Sequence, residues 1–89
     1  MGKTSKAETQ HRHACRRAME RFDLFEKDVF AIEAMIRSGD STVVERQSHR
    51  VVIHAVIYED VTMHVAYDGL RSQIATFLYP EGNPLDMLG

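Results

Sequence analysis

An α+β domain, with two N-terminal helices packed on a four-stranded antiparallel meander sheet, is the fold class this sequence predicts. Three observations carry it. Apolar residues recur at helical spacing as far as Ser38-Gly39. After Gly39 the period changes to alternation, and β-branched and aromatic residues take over. The alternating part divides into four runs, TVVER, HRVVIHAVIYE, VTMHVAYD and SQIATFLY, separated by short polar breaks. At 89 residues the chain has room for one domain with a modest core two layers thick.

Residues 1 to about 9 are polar and charged with nothing to anchor them, so they are expected as a disordered tail and the domain as residues 10–80. From about His11 to Phe22 the apolar positions Ala14, Ala18, Met19 and Phe22 predict helix 1. Asp23 followed by Glu26 has the form of a capping box, and Val29, Ile32, Met35 and Ile36 then recur at helical steps. Helix 2 is therefore expected from Leu24 to Arg37, with Gly39 as its stop. The end of the chain from Pro80 holds both prolines and two of the five glycines, so 81–89 are expected as a tail able to fold back through Leu85, Met87 and Leu88.

The loop between the second and third strands sets the register. A three-residue loop of Tyr58, Glu59 and Asp60 opposes Ile57 to Val61. It gathers Val51, Ile53, Ala55, Ile57, Val61, Met63, Val65 and Tyr67 on one wholly apolar face. A two-residue loop would bring His54 into the core and turn Ile53 and Ile57 out, so burial favours the longer loop. The expected core is Phe22, Val29, Ile32, Ile36, Ile53, Ile57 and Val65. The other face then carries Arg50, His54, Tyr58, His64 and Asp68, with His54 opposite His64 and Arg50 opposite Asp68.

Composition excludes some function classes. No apolar run approaches the length of a membrane span, and the first residues lack the apolar core of a secretory signal. One cysteine cannot make an internal disulfide, which fits a reducing, cytoplasmic setting. Net charge is −2, yet residues 1–21 carry six Lys/Arg against two Glu while the remainder carries five against eleven acids. This polarity suits docking of an acidic partner on helix 1 or head-to-tail association into a homodimer. The acidic remainder counts against tight non-specific nucleic-acid binding.

Two constellations carry chemistry. His13, Arg17 and Arg21 stand four apart on helix 1, a stripe of one imidazole and two guanidinium forks that matches phosphate or carboxylate oxygens. A solvated basic helix face is the plain alternative. The sheet face with Arg50, His54, Tyr58, His64 and Asp68 offers a base, an acid and a cation at one surface, or equally the wet side of a half-exposed sheet. His49, His54 and His64 fall short of a zinc ligand set, no metal or cofactor is expected, and Cys15, near the apolar seam, reads as an inert thiol rather than a nucleophile.

A first helix of the form His-Ala-x-x-Arg-x-x-x-Arg, a second ending at Ser38-Gly39 and a late strand Ile74-Ala75-Thr76-Phe77-Leu78-Tyr79 together resemble the RelE/ParE-type toxin superfamily, in particular its BrnT-like branch and related small proteins of unknown function. The likeness spans roughly residues 11–80. It implies a RelE-like domain acting as an endoribonuclease, in which a 2′-hydroxyl attacks the adjacent phosphate, with an antitoxin as partner. It further implies that Arg17 and Arg21 hold phosphate, that His13 serves as acid or base, and that Tyr79 or Arg71 stands near the end of the last strand. The full candidate set is thus His13, Arg17, Arg21, His54 and His64 for catalysis, and Arg17, Arg21, Arg50 and Arg71 for phosphate. The competing expectation is a non-enzymatic interaction module, such as an inhibitor from a phage or mobile element, whose acidic Glu59, Asp60, Asp68, Glu81 and Asp86 meet a basic host protein.

Overall fold

The computed structural model describes residues 5–80. Its elements are α1 (Lys6–Phe22), α2 (Glu26–Arg37), β1 (Thr42–Arg46), β2 (Val51–Tyr58), β3 (Val61–Asp68) and β4 (Gln73–Leu78). The strands form one antiparallel sheet in the order β1-β2-β3-β4. This is the α+β meander that the change of period predicts.

The helix starts differ from expectation. α1 begins at Lys6 because Ser5 and Glu8 cap it reciprocally. Ser5 Oγ accepts from the Glu8 N–H at 3.0 Å, and Glu8 Oε1 accepts from the Ser5 N–H at 3.4 Å. Residues 6–9, expected in a disordered tail, therefore form the first turn of α1. Residues 1–4 and the expected tail 81–89, with Leu85, Met87 and Leu88, lie outside the described residues. Asp23, expected to cap α2, instead closes α1 in the left-handed region (φ 59), a conformation that Asp tolerates better than most side chains. α2 begins at Glu26 rather than Leu24, and Asp28 serves its start by accepting from the Phe25 N–H at 2.9 Å. It ends as expected, with Gly39 at φ 86 and the Asp40 N–H donating to Met35 O at 2.8 Å.

The register also differs. Tyr58 pairs with Val61, so the loop is the two residues Glu59 and Asp60, both in the left-handed region (φ 50 and 67), as a tight turn matched to strand twist requires. His54 consequently faces Val65, and His64 faces Ala55. The side turned to the helices carries Val56, Met63 and Val65, with Tyr58 and Tyr67 at its margin, while Ile57 is 68% exposed. The burial argument for the longer loop fails for a definite reason. The residues it rejected from the core side are polar but satisfied: Tyr58 OH donates to Asp28 Oδ1 at 2.6 Å, and His54 Nδ1 hydrogen-bonds Ser41 Oγ at 2.9 Å.

Ala14 and Ala18 let α1 lie close on β4, and Val29, Ile32 and Ile36 bring α2 onto the same side of the sheet. In β4 the pairing slips between Ala66 and Tyr67, with Ala75 as the extra residue. Ile74 and Phe77, three apart, therefore both reach the core. Of the expected core, Val29, Ile32, Ile36 and Val65 are buried in it, Phe22 packs against it and Ile57 lies outside. Ile53 is buried apart from the main cluster.

Three buried carboxylates tie the layers together. Asp28 joins α2 to Tyr58 of β2, and that hydrogen bond pushes the Tyr58 phenol up to about 12. Glu33 accepts from the Ile74 N–H at 2.8 Å, joining α2 to β4. Asp68 takes Nε and Nη2 of Arg50, the Gln10 amide of α1 at 3.1 Å, and the N–H groups of Leu70 and Arg71. The Arg50 guanidinium leads in holding the Asp68 carboxyl down at about 2. The Arg50–Asp68 pair expected from the strands is thus present, although Val51 is the ladder partner of Asp68.

Candidate functional site

With Ala14 and Ala18 turned to the sheet, the 3.6-residue period gives α1 two flanks. One carries Lys6, Gln10, His13 and Arg17, and the other His11 and Cys15. The first flank meets the β3–β4 turn. There Arg71 Nη1 donates to Gln10 Oε1, while Gln10 Nε2 donates to Asp68, which in turn binds Arg50. This chain of side-chain hydrogen bonds fixes Arg71 against α1. Lys6, Thr9, Gln10, His13 and Arg71 line one open hollow of about 460 Å³. The ion pairs of the described residues are His11–Glu26, Arg17–Glu20 and Arg50–Asp68. Neither Lys6 nor Arg71 is therefore neutralised by a carboxylate among the described residues. A hollow with two unneutralised cations, an imidazole, a hydroxyl and a backbone-anchored turn can hold an anion.

The remaining candidate residues are dispersed. Arg17 is on the same flank as His13 but pairs with Glu20 at 2.6 Å. Arg21 donates through Nη1 to the Phe77 carbonyl and lies over the Tyr79 ring, 5.9 Å from its centroid, so it links α1 to the end of β4. Arg50 commits Nε and Nη2 to Asp68. His54 sits on the helix side of β2, edge-on to Tyr67, and burial pulls its pKa down. His64, one strand over and of the opposite parity to Val65, points to the other face of the sheet. The expected polar face of Arg50, His54, Tyr58, His64 and Asp68 is thus divided between both sides, because the observed loop is one residue shorter than the expected one. Of the expected set, the hollow brings together His13 and Arg71, with Arg17 beside them. Lys6 and Thr9 are missed because residues 1–9 read as a tail, and Gln10 because helix 1 reads as starting at about His11. The signal that finds them is Ser5-x-x-Glu8, the helix-start pattern.

The other flank holds a second cluster. His11 Nε2 lies 2.8 Å from Glu26 Oε2 and 3.4 Å from Cys15 Sγ, and the three side-chain atoms lie within 4.8 Å of one another. Burial, then the charges of Glu26 and Glu33, push the Cys15 thiol up, the opposite of what an activated nucleophile needs. No helix among the described residues is long and apolar enough to cross a membrane. No family model matches this chain, and no curated protein or solved structure compared with it matches either.

Proposed function

We propose that this chain is a small RNA-binding module of the cytoplasm that takes phosphate groups on the Lys6–His13 flank of α1. The observation that carries this reading is the hollow in which Lys6, His13 and Arg71 converge with no ion-paired carboxylate among the described residues, in a chain whose net charge is −2. Localised positive charge on an otherwise acidic molecule directs a polyanion to one surface. The resemblance of the His13–Arg21 helix to the RelE/ParE-type superfamily points to the same class of ligand. Binding is favoured over cleavage because phosphodiester chemistry needs a base and an acid at one phosphate, and this hollow gathers a single imidazole. Protein partners, an antitoxin or a host target, would meet the exposed Glu59 and Asp60 of the β2–β3 turn.

The test is fluorescence anisotropy with a labelled single-stranded RNA at several salt concentrations. Binding is expected to weaken steeply with salt, and Arg71→Ala or Lys6→Ala to lower the log–log slope by about one each. Arg46→Ala, on the exposed β1, is expected to leave binding unchanged. The same mixtures are read for RNA length, which is expected to stay intact. RNA left unbound at low salt, or Arg46→Ala weakening binding as much as Arg71→Ala, would overturn the proposal. Shortened RNA whose appearance requires His13 would convert it to the toxin-type endoribonuclease.

A further inference from the structure

Where the first turn of α2 crosses the His11 flank of α1, three side chains of different chemistry converge on one point. His11 and Cys15 are four apart on α1 and project from the same flank, while Glu26 opens α2. Both the thiol and the carboxylate approach the same ring nitrogen, Nε2 of His11, at 3.4 and 2.8 Å. In a nucleophile–base–orienter relay the thiol and the carboxylate occupy opposite nitrogens of the imidazole. Convergence on one nitrogen is instead the arrangement of donors that share a central ion.

We propose that His11 Nε2, Cys15 Sγ and Glu26 Oε2 form a binding site for a zinc-class divalent transition ion, with one coordination position open to the adjoining hollow. This goes beyond the RNA-binding reading and does not rest on it, since the site lies on the other flank of α1. Ligands at about 2.0–2.3 Å from a tetrahedral zinc stand ~3.3–3.7 Å from one another. The observed 3.4 Å between sulfur and nitrogen already fits, and Glu26, the most exposed of the three, has the freedom to move off Nε2 from 2.8 Å and toward Sγ, the pair that accounts for the 4.8 Å spread of the cluster. The donor set of imidazole, thiolate and carboxylate selects zinc and its neighbours over magnesium or calcium, which prefer all-oxygen ligands.

The surroundings support a built site. The His11 ring stacks on Phe30, with centroids 4.8 Å apart and planes 18° from parallel, which fixes the direction of Nε2. Three protein ligands leave one tetrahedral position, as in catalytic rather than structural zinc sites. A hollow of about 460 Å³ adjoins the three ligands, lined also by Glu8, Arg12 and Gln73, and it leaves room there for a fourth ligand. Gln73 Oε1 is buried with no hydrogen-bond partner among the described residues.

The experiment uses the whole chain, freed of metal with a chelator, and titrates it with Zn²⁺ in a calorimeter and with Co²⁺ in a spectrophotometer. One equivalent is expected to bind. The Co²⁺ form is expected to show a thiolate charge-transfer band in the near ultraviolet and visible bands of four-coordinate intensity. Cys15→Ser is expected to remove the charge-transfer band. His11→Ala and Glu26→Gln are expected to weaken Zn²⁺ binding by at least about 100-fold, the upper end of what loss of a mere supporting contact costs. Circular dichroism of each metal-free variant checks that it folds, and Zn²⁺ is expected to raise the Tm of the parent chain but not that of folded Cys15→Ser. His49→Ala, outside the cluster, is expected to bind like the parent. Absence of stoichiometric binding, a Co²⁺ form without the thiolate band, or Zn²⁺ binding unchanged in both His11→Ala and Glu26→Gln would overturn the proposal.

Discussion

Phe77→Ala is expected to destabilise the protein by about 3–5 kcal/mol, whereas Ile57→Ala changes stability by no more than ~0.5 kcal/mol. Phe77 is fully buried, pairs with Val65 in the sheet and meets Phe22 edge-on at 6.3 Å. Its removal opens a cavity where α1 crosses β4, and rigid helices cannot collapse into it. Ile57 is as apolar, but it stands on the other side of β2 with 68% of its surface in water. A domain of this size has a total stability of roughly 5–10 kcal/mol, so Phe77→Ala leaves it close to unfolded at 25 °C. Urea titration monitored by circular dichroism measures both. Comparable losses at the two positions would mean that the β2–β3 loop has three residues and that the core side is the odd-numbered face of β2.

Asp68→Ala is the second large effect, with an expected loss of about 2–4 kcal/mol from the buried donors it leaves unpaired. The carboxylate is buried and receives donors from Arg50, Gln10, Leu70 and Arg71. Removing it takes the partner from the Arg50 guanidinium, which is 40% exposed and passes to water, leaves the Gln10 amide without its acceptor and releases the β3–β4 turn. The pH dependence has a definite sign. The folded carboxyl titrates at about 2, below its ordinary value of 3.8, so in the interval between these values the unfolded chain binds more protons than the folded one. This stabilisation is fully present above pH ~4 and is lost as pH falls toward ~2. Asp68→Asn cannot titrate, so its stability deficit relative to the parent is expected to be constant above pH ~4 and to shrink below it. A deficit that does not change between pH 5 and pH 2 would show that Asp68 is not held as the buried anion described here.

The fold class is legible in the sequence because burial imposes different periods on helix and sheet, and the change at Gly39 marks where one gives way to the other. Register is less legible. β2 reads VVIHAVIY, apolar on both parities, so neither face declares itself core by hydrophobicity alone. What decides is which polar side chains find partners, and the partners of Tyr58 and His54, Asp28 and Ser41, lie on other elements. Asp23 misleads for a related reason, since a short acidic side chain suits both a helix start and a left-handed helix end.

The hollow on the Lys6–His13 flank is half legible. The four-residue spacing places His13, Arg17 and Arg21 along α1, but spacing is blind to the contacts that take Arg17 to Glu20 and Arg21 to the Phe77 carbonyl. Lys6 and Gln10 enter only once Ser5 and Glu8 are read as a cap. The His11–Cys15 pair is visible as an i, i+4 spacing, but Glu26 joins it only through the angle at which α2 returns across α1.

The most direct test of the functional reading is a titration of the isotope-labelled protein with short single-stranded RNA, followed through backbone amide chemical shifts. The shifts expected to move most are those of Lys6, Thr9, Gln10, His13 and Arg71, together on one flank of α1 and the adjoining turn. Shifts concentrated instead on Thr62, His64, Ala66 and Thr76 of the outer sheet face, or none at all at saturating RNA, would contradict a phosphate-binding α1.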